Sequence, residues 1–470
     1  VKLALPKGKL QKDTAALLNK AGFGIDDYNE RSRSYRLSSS RFPDLFIKVF
    51  RERDIPIQVA IGNYDIGICG LDWMGELMAK YPTSDVIKLN DLGYGGFDLC
   101  AVAGRKSGVA SAKDLNGCFE RVRIVSEYQN IAEAFALKYR LRRFSILPIL
   151  GAGEVYPPES ADVAIIPNMT AKKLAYFDLL PIADIITCGA CLIAKKKSLS
   201  RLDLSELLAS LQPYIMDALV ADEMKIEERT GKKSAASCAD AADGSNVRLA
   251  LPDGHLMKTT AELLNRTGLG IEGYSEDSLT HRPTIGITGV SIKMIRPQDM
   301  PLQVANGNFD LAITGEDWLS DHLYRFPSSP VRKVLKLGFA KVKIVAVVGG
   351  KFPANSIGDL REMVRSGALS SIRVASEYVN IADKYTRDNH LSCCKIIPTW
   401  GASEAFLPED ADLLIENTET GETLRKHNLR VIDTVFESTS CIIGHSDALS
   451  DPRKKERIGR LVKAIENAIK

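Results

Sequence analysis

LALPKGKL at residues 3–10 returns as LALPDGHL at residues 249–256, and this return decides how the rest of the chain is read. GNYDIGICGLDW (62–73) returns as GNFDLAITGEDW (307–318), and RIVSEYQNIA (123–132) returns as RVASEYVNIA (373–382). The offset is 246 residues between Gly8 and Gly254, 245 between Asp72 and Asp317, and 250 between Glu127 and Glu377. An offset so nearly constant along a whole half means that a complete folding unit was duplicated, which gives a domain pair and not a solenoid. The division expected is residues 1–224 for the first unit, 225–246 for a linker and 247–470 for the second unit. The linker KIEERTGKKSAASCADAADGSN is rich in Lys, Ser, Ala, Asp and Gly and has no aromatic residue.

Within each copy, short apolar runs alternate with amphipathic stretches, the pattern of strands returning through helices into a mostly parallel sheet, so the class is α/β. Residues 2–5 read as a strand feeding a helix over 10–21, which Gly22 stops. Further strands are expected near 46–50, 65–68, 99–103, 122–125, 146–149 and 163–166, with a helix over 130–139. Each copy closes on a helix, over 204–224 in the first and 452–469 in the second.

Composition narrows the function classes. At 470 residues, 45% hydrophobic and 26% charged, the chain has ample material for packed cores. The net charge of +3 comes from 62 basic and 59 acidic residues, a balance that advertises neither a nucleic-acid nor a membrane surface, so an anion site must be local. No apolar run reaches the roughly 18 residues that span a bilayer, and no cleavable leader is visible, which leads us to expect a cytoplasmic protein. Nine scattered cysteines fit reduced thiols. Cys188 and Cys191 form a CxxC, but in IITCGACLIA they read as strand and turn without the helix or second ligand pair that redox or zinc chemistry needs. All six histidines lie in the second copy, which excludes histidine catalysis common to both.

The sharpest local signal is DLLIENTETGETL at 412–424. An apolar strand runs there into acidic and hydroxyl residues, then Gly421, then a helix start. A glycine lets backbone N–H groups turn toward an anion, Thr420 and Thr423 add hydroxyls, and the helix adds its positive end. Glu416 at the strand end suits ribose hydroxyls or a magnesium ion. The plainer reading, a strand ending in a polar turn with an ordinary helix cap, fits the same residues.

Taken in order, LALPKGKL, RERDIPIQV with IRPQDMPLQV, DIGICG with DLAITG, DLGYG with KLGFA, SEYxNIA and DLLIENTETGETLRKHNL resemble the catalytic core of the ATP phosphoribosyltransferases across nearly all of both halves. The resemblance implies two tandem copies of a two-lobed, periplasmic-binding-protein-like (type II) α/β fold with hinge-linked lobes. It also implies the joining of N1 of ATP to C1 of phosphoribosyl pyrophosphate (PRPP) with magnesium present, the first committed step of histidine biosynthesis. By resemblance, the PRPP loop is Glu416, Asn417, Thr418, Glu419, Thr420, Gly421, Glu422, Thr423 and Leu424, with Glu404 a second acid near the ribose. Lys7 and Lys9 match a basic pair facing triphosphate or pyrophosphate, and Arg33, Arg51 and Arg296 match arginines near the site. Asp72 and Asp317 are candidates for ATP contact, or equally helix caps. Trp73 and Trp318 are expected to pack on the lobe core, and Arg140, Arg142 and Arg143 to form a solvated surface.

The copies depart from the family at opposite ends. In the first, Ile166, Ala171 and Lys173 replace Glu416, Gly421 and Thr423, and an alanine disfavours the positive φ that turns amides inward. In the second, Asp253 and His255 replace Lys7 and Lys9, and Leu279 stands where Arg33 would be. A carboxylate facing phosphate is repulsive. Either the copies pair as an intrachain pseudo-dimer in which cations of the first serve the site of the second, or both copies have drifted, or the first is only a scaffold and the second works with altered residues. Higher homo-oligomers are also expected. With no regulatory domain after Lys470, the chain resembles the short type, which borrows control from a histidyl-tRNA-synthetase-like subunit. Two other classes stay open: an inactive nucleotide-binding regulatory or scaffold relative, and a small-anion solute-binding protein.

Overall fold

The computed structural model describes residues 1–30, 34–215, 226–229, 245–275 and 281–469. Arg33, Leu279 and most of the expected linker lie outside the described residues. Among the described residues, no helix is long and apolar enough to cross a membrane.

Each copy folds as two lobes, each built on a sheet. In the first copy, the first-lobe sheet places Lys2–Lys7 between Phe46–Arg51 and Ile66–Gly70, parallel to both, with Ala190–Lys195 antiparallel beyond Ile66–Gly70 and Val86–Asp91 antiparallel at the edge. Leu3, Ala4 and Leu5 are all essentially inaccessible, as befits a strand covered on both faces. The second-lobe sheet centres on Phe97–Gly104, antiparallel both to Val163–Pro167 and to the long strand Leu179–Cys188. The sheets are therefore mixed, not mostly parallel as expected. The reason is the path of the chain. It crosses between lobes twice, at 92–96 and at Gly189, and each returning strand enters its sheet antiparallel.

The second copy repeats this plan. Val247–Pro252 lies parallel to Val290–Ile295 and Leu311–Gly315, and the crossings fall at 337–341 and Thr439. Local geometry repeats as well. Tyr28 and Tyr274 each donate to a proline carbonyl, Pro6 and Pro252, at 2.7 Å, and Gly22 and Gly268 both stand at φ 68°, ending helices that a side chain there would strain.

Several boundaries move. The expected strand at 146–149 is Phe144–Pro148. The helix expected over 204–224 is helical at Ser205–Leu211 and tightens to a 3-10 turn at Gln212–Tyr214, where Pro213 removes a backbone donor; residues 216–224 lie outside the described residues. Pro452–Ile469 is helical as expected, burying Ile458, Leu461 and Ile465 against the first-lobe core of its copy. Within the expected linker, Glu227–Glu228 adds a short edge strand to Leu179–Cys188.

Compact packing does not follow the sequence halves strictly. Residues 148–160 of the first copy pack in the unit formed by the second, and residues 399–405 of the second pack in the unit formed by the first. These segments occupy equivalent positions in the two copies, each between a strand ending in proline and the strand that leads to the 162–174 or 412–424 loop.

Candidate functional site

The cationic end of the first copy is built on strand register. Lys7 is paired with Arg51 as the last residues of two parallel strands, so both cations stand at the carboxyl ends, where α/β sheets gather ligands. Lys7 Nζ donates to the Tyr35 hydroxyl at 2.8 Å and lies 4.2 Å from that ring's centre. The chain then turns at Gly8, φ 123°, a conformation that a side chain would strain. Glu52 holds the turn, its Oε1 accepting from the Leu10 N–H at 3.0 Å. Burial raises the pKa of Glu52, the Leu10 bond lowers it, and the nearby Asp72 raises it again. Lys9 and Arg51 are exposed. Sequence reading passed over Glu52, although it sits between two arginines in RERDIP.

The same end of the second copy carries an ion pair of its own. Asp253, in the place of Lys7, ion-pairs with Arg296 at 3.5 Å, so the substituted carboxylate engages the arginine that matches Arg51. His255 is exposed.

The 412–424 loop leaves the strand Leu413–Thr418 and enters the helix Glu422–Lys426 through Gly421 at φ 71°. Thr418 Oγ1 accepts from the Gly421 N–H at 3.0 Å, and Thr420 Oγ1 accepts from the Glu422 N–H at 3.4 Å. Glu416 Oε1 takes the Asn417 N–H at 2.9 Å. Leu424 anchors the helix by burial, while Glu419, Thr420, Glu422 and Thr423 are exposed. In the first copy, Thr170 makes an ordinary side-chain cap, accepting from the Lys173 N–H at 3.4 Å, and Ala171 is simply the first helical residue.

Asp72 and Asp317 are buried within their copies. The Tyr128 hydroxyl donates to Asp72 Oδ2 at 2.7 Å, and the Tyr378 hydroxyl donates to Asp317 Oδ2 at 2.8 Å, each bond joining the two lobes. A Cβ on Gly70 or Gly315 would stand 2.1 or 2.0 Å from the Asp Oδ1, which explains the glycines that close DIGICG and DLAITG. As placed, these carboxylates tie lobes together and are not turned to open surface. Asn417 Nδ2 donates to the Tyr378 hydroxyl at 2.8 Å, so the loop is wired to this tie; Pro167 occupies the equivalent position in the first copy and has no such donor. Trp73 and Trp318 are half-buried; Trp73 lies tilted against Tyr128 and Trp318 stacks on Tyr378, with ring centres 4.6 and 4.3 Å apart, and Trp318 packs on the second-lobe core of its copy.

Glu404 stands half-buried in the 3-10 turn Ser403–Phe406 and belongs to the compact unit that contains Lys7, Lys9 and Arg51. In the same segment Trp400 lies against Arg53, a pair absent from the sequence reading. No simple spacing signals it, since the two residues come from different copies. Of the basic cluster, Arg143 forms an exposed ion pair with Glu120 at 2.7 Å, as suits a solvated surface. Among the described residues no three His, Cys, Asp or Glu side chains gather into a metal cage. Glu416, half-buried at the strand end, is a single carboxylate there, an oxygen donor of the kind magnesium takes.

A family model described as ATP phosphoribosyltransferase matches residues 51–213 and again 296–467. The ATP phosphoribosyltransferase of Chlorobaculum parvum is 31% identical over 234 residues, covering 48% of this chain and 74% of the relative. That of Desulfatibacillum aliphaticivorans is 29% identical over 229 residues, covering 47% and 72%. Among solved structures, the ATP phosphoribosyl transferase (HisG:HisZ) complex from Thermotoga maritima aligns at 21% identity and TM-score 0.38, covering 47% of this chain and 98% of that one. The alkanesulfonate-binding protein SsuA from Xanthomonas axonopodis aligns at 12% identity and TM-score 0.32, covering 48% and 74%. The chain belongs to the ATP phosphoribosyltransferase family, and the family model falls on it twice.

Proposed function

We propose that the chain is a cytoplasmic enzyme that condenses ATP with PRPP, giving phosphoribosyl-ATP and pyrophosphate at the entry to histidine biosynthesis. The N1 lone pair of ATP forms the new bond to C1 of the ribose as the bond from C1 to the pyrophosphate oxygen breaks and pyrophosphate leaves with that electron pair. No side chain has to form a covalent bond. The protein contributes alignment of two bound substrates and stabilisation of the charge that grows on the leaving group. Magnesium would supply further neutralisation of the phosphates.

In this reading Glu416, with the amides and hydroxyls of Thr418 to Thr423, holds PRPP, and Glu404 is a second acid matched to the ribose by resemblance to the family. Lys7, Lys9 and Arg51 answer the polyphosphate charge. One observation carries the sharing of labour between copies: the segment bearing Glu404 comes from the second copy, yet packs in the unit that holds the first copy's cations. A histidyl-tRNA-synthetase-like regulatory subunit is part of the same proposal.

The test is formation of phosphoribosyl-ATP from ATP and PRPP with magnesium present, by the whole chain and by Lys9→Ala and Glu416→Ala. Turnover in the wild type, lost by more than about 100-fold in either variant, supports the transferase. ATP binding without turnover in the wild type supports the inactive nucleotide-binding relative instead.

A further inference from the structure

Arg53 lies between two indoles. Its guanidinium carbon is 4.0 Å from the ring centre of Trp400 and 5.0 Å from that of Trp73, and Trp73 lies tilted against Tyr128. The result is a continuous row of contacts through Trp400, Arg53, Trp73 and Tyr128. Burial lowers the pKa of Arg53, and the carboxylates of Glu127, Asp54 and Glu76 oppose that shift, keeping a largely desolvated cation in place. A planar guanidinium stacked on aromatic faces is held most firmly where water is excluded.

Trp400 comes from the exchanged segment 399–405, which also carries Glu404. The equivalent arrangement is missing from the other copy. Gln298 stands where Arg53 does and Leu150 where Trp400 does, so neither the cation nor the indole is available. Residues 148–160 are held by other means: the Leu150 N–H donates to Asp299 at 2.9 Å, and Glu159 pairs with Arg282 and Lys293. Gln298 Oε1 is buried with no hydrogen-bond partner among the described residues.

We propose that Arg53 is a positioning residue whose stack on Trp400 latches the Glu404 segment onto the unit carrying Lys7, Lys9 and Arg51, fixing Glu404 for the ribose of PRPP. The proposal rests on the transferase reading above for the role of Glu404, whereas the latch itself stands on the packing. It makes the two exchanged segments unequal: only the one bearing Glu404 is clamped by a cation between aromatic rings.

The experiment compares the full chain with Arg53→Gln, which installs the residue the second copy already carries, with Trp400→Leu, which installs the counterpart of Leu150, and with Arg53→Lys. Amide hydrogen exchange of residues 399–405 is followed alongside steady-state kinetics. Expected are exchange about tenfold faster or more in R53Q and W400L, a KM for PRPP raised about tenfold with kcat and the KM for ATP within about twofold, and partial rescue in R53K. Unchanged exchange in both R53Q and W400L overturns the latch. Faster exchange with an unchanged KM for PRPP overturns the positioning role. An inactive wild type refutes the transferase reading alone, because the exchange measurement still reads the latch.

Discussion

Arg296 Nε stands 3.5 Å from Asp253 Oδ2, an ion pair the first copy cannot form because Lys7 occupies the place of Asp253. The substitution thus does two things at once: it removes a cation and neutralises a second one. In the first copy Lys7 leans on Tyr35 while Lys9 and Arg51 stay exposed.

Removing the ion pair is therefore expected to leave activity intact. Asp253→Ala should hold phosphoribosyl-ATP formation within about twofold of the wild type and change stability by less than about 1 kcal/mol, as for a partly solvated pair. Lys9→Ala should lower kcat/KM about 100-fold. Equal losses in the two variants would contradict the division of labour between copies.

The lobe ties differ by one atom. Ser438 Oγ donates to Asp317 Oδ1 at 3.1 Å, while its counterpart Cys188 turns its thiol to the Ile186 carbonyl at 3.7 Å and, among the described residues, no donor reaches Asp72 Oδ1. Burial raises the pKa of Asp72, with the Tyr128 hydroxyl and the Trp73 N–H pulling it down. A raised value means that the folded state holds this proton more tightly than the unfolded chain, so the associated stability is lost as pH rises through the folded value. Cys188→Ser supplies the missing donor to the ionised form. Denaturant midpoints should show a gain of about 1 kcal/mol near neutral pH that shrinks in acid.

Gly421 is required by its backbone and not by crowding, since at φ 71° a side chain would have open space but a strained conformation. Gly421→Ala should cost about 1 kcal/mol in stability and raise the KM for PRPP about tenfold, with the KM for ATP unchanged. Ala171→Gly should not create a second PRPP site, because Ile166 still stands where Glu416 would be; a doubled PRPP stoichiometry by calorimetry would contradict this.

Glu159 bridges Arg282 at 2.9 Å and Lys293 at 2.8 Å. Burial alone would raise its pKa, but the two cations hold it down at about 2. A depressed carboxyl pKa contributes stability that is present above the unfolded value and lost as pH falls through the folded one. Glu159→Gln should lose about 1 kcal/mol at neutral pH, the carboxylate being partly solvated. That deficit should close as pH falls from about 4.5 toward 2, and a deficit independent of pH would exclude the ion pair as its cause.

The turn that carries the candidate loop was legible because it rests on local chemistry. Gly421 at a positive φ and Thr420 beside the helix start follow from the order of residues in ENTETGETL, whereas the burial of Leu424 came from the structure. The register partnership of Lys7 and Arg51 was half legible, since both end apolar runs. Asp72, Trp73 and Tyr128 were harder. Each is a plausible cap or core residue in its own segment, and the tie appears only when two lobes bring separate helices together. The mixed sheets were missed for a related reason: alternating apolar runs show that strands exist, but not the direction in which a strand re-enters after crossing between lobes.

The sequence by itself determined that an α/β unit occurs twice and that the copies differ at the 7–9 and 416–423 positions, because duplication and substitution are written residue by residue and side-chain periodicity is local. The tertiary structure alone decided that segments 148–160 and 399–405 change places, that Asp253 engages Arg296, and that Arg53 of one copy lies against Trp400 of the other. Such contacts join residues far apart in the chain, and they depend on how long loops close and which surfaces exclude water, quantities that no window of sequence contains.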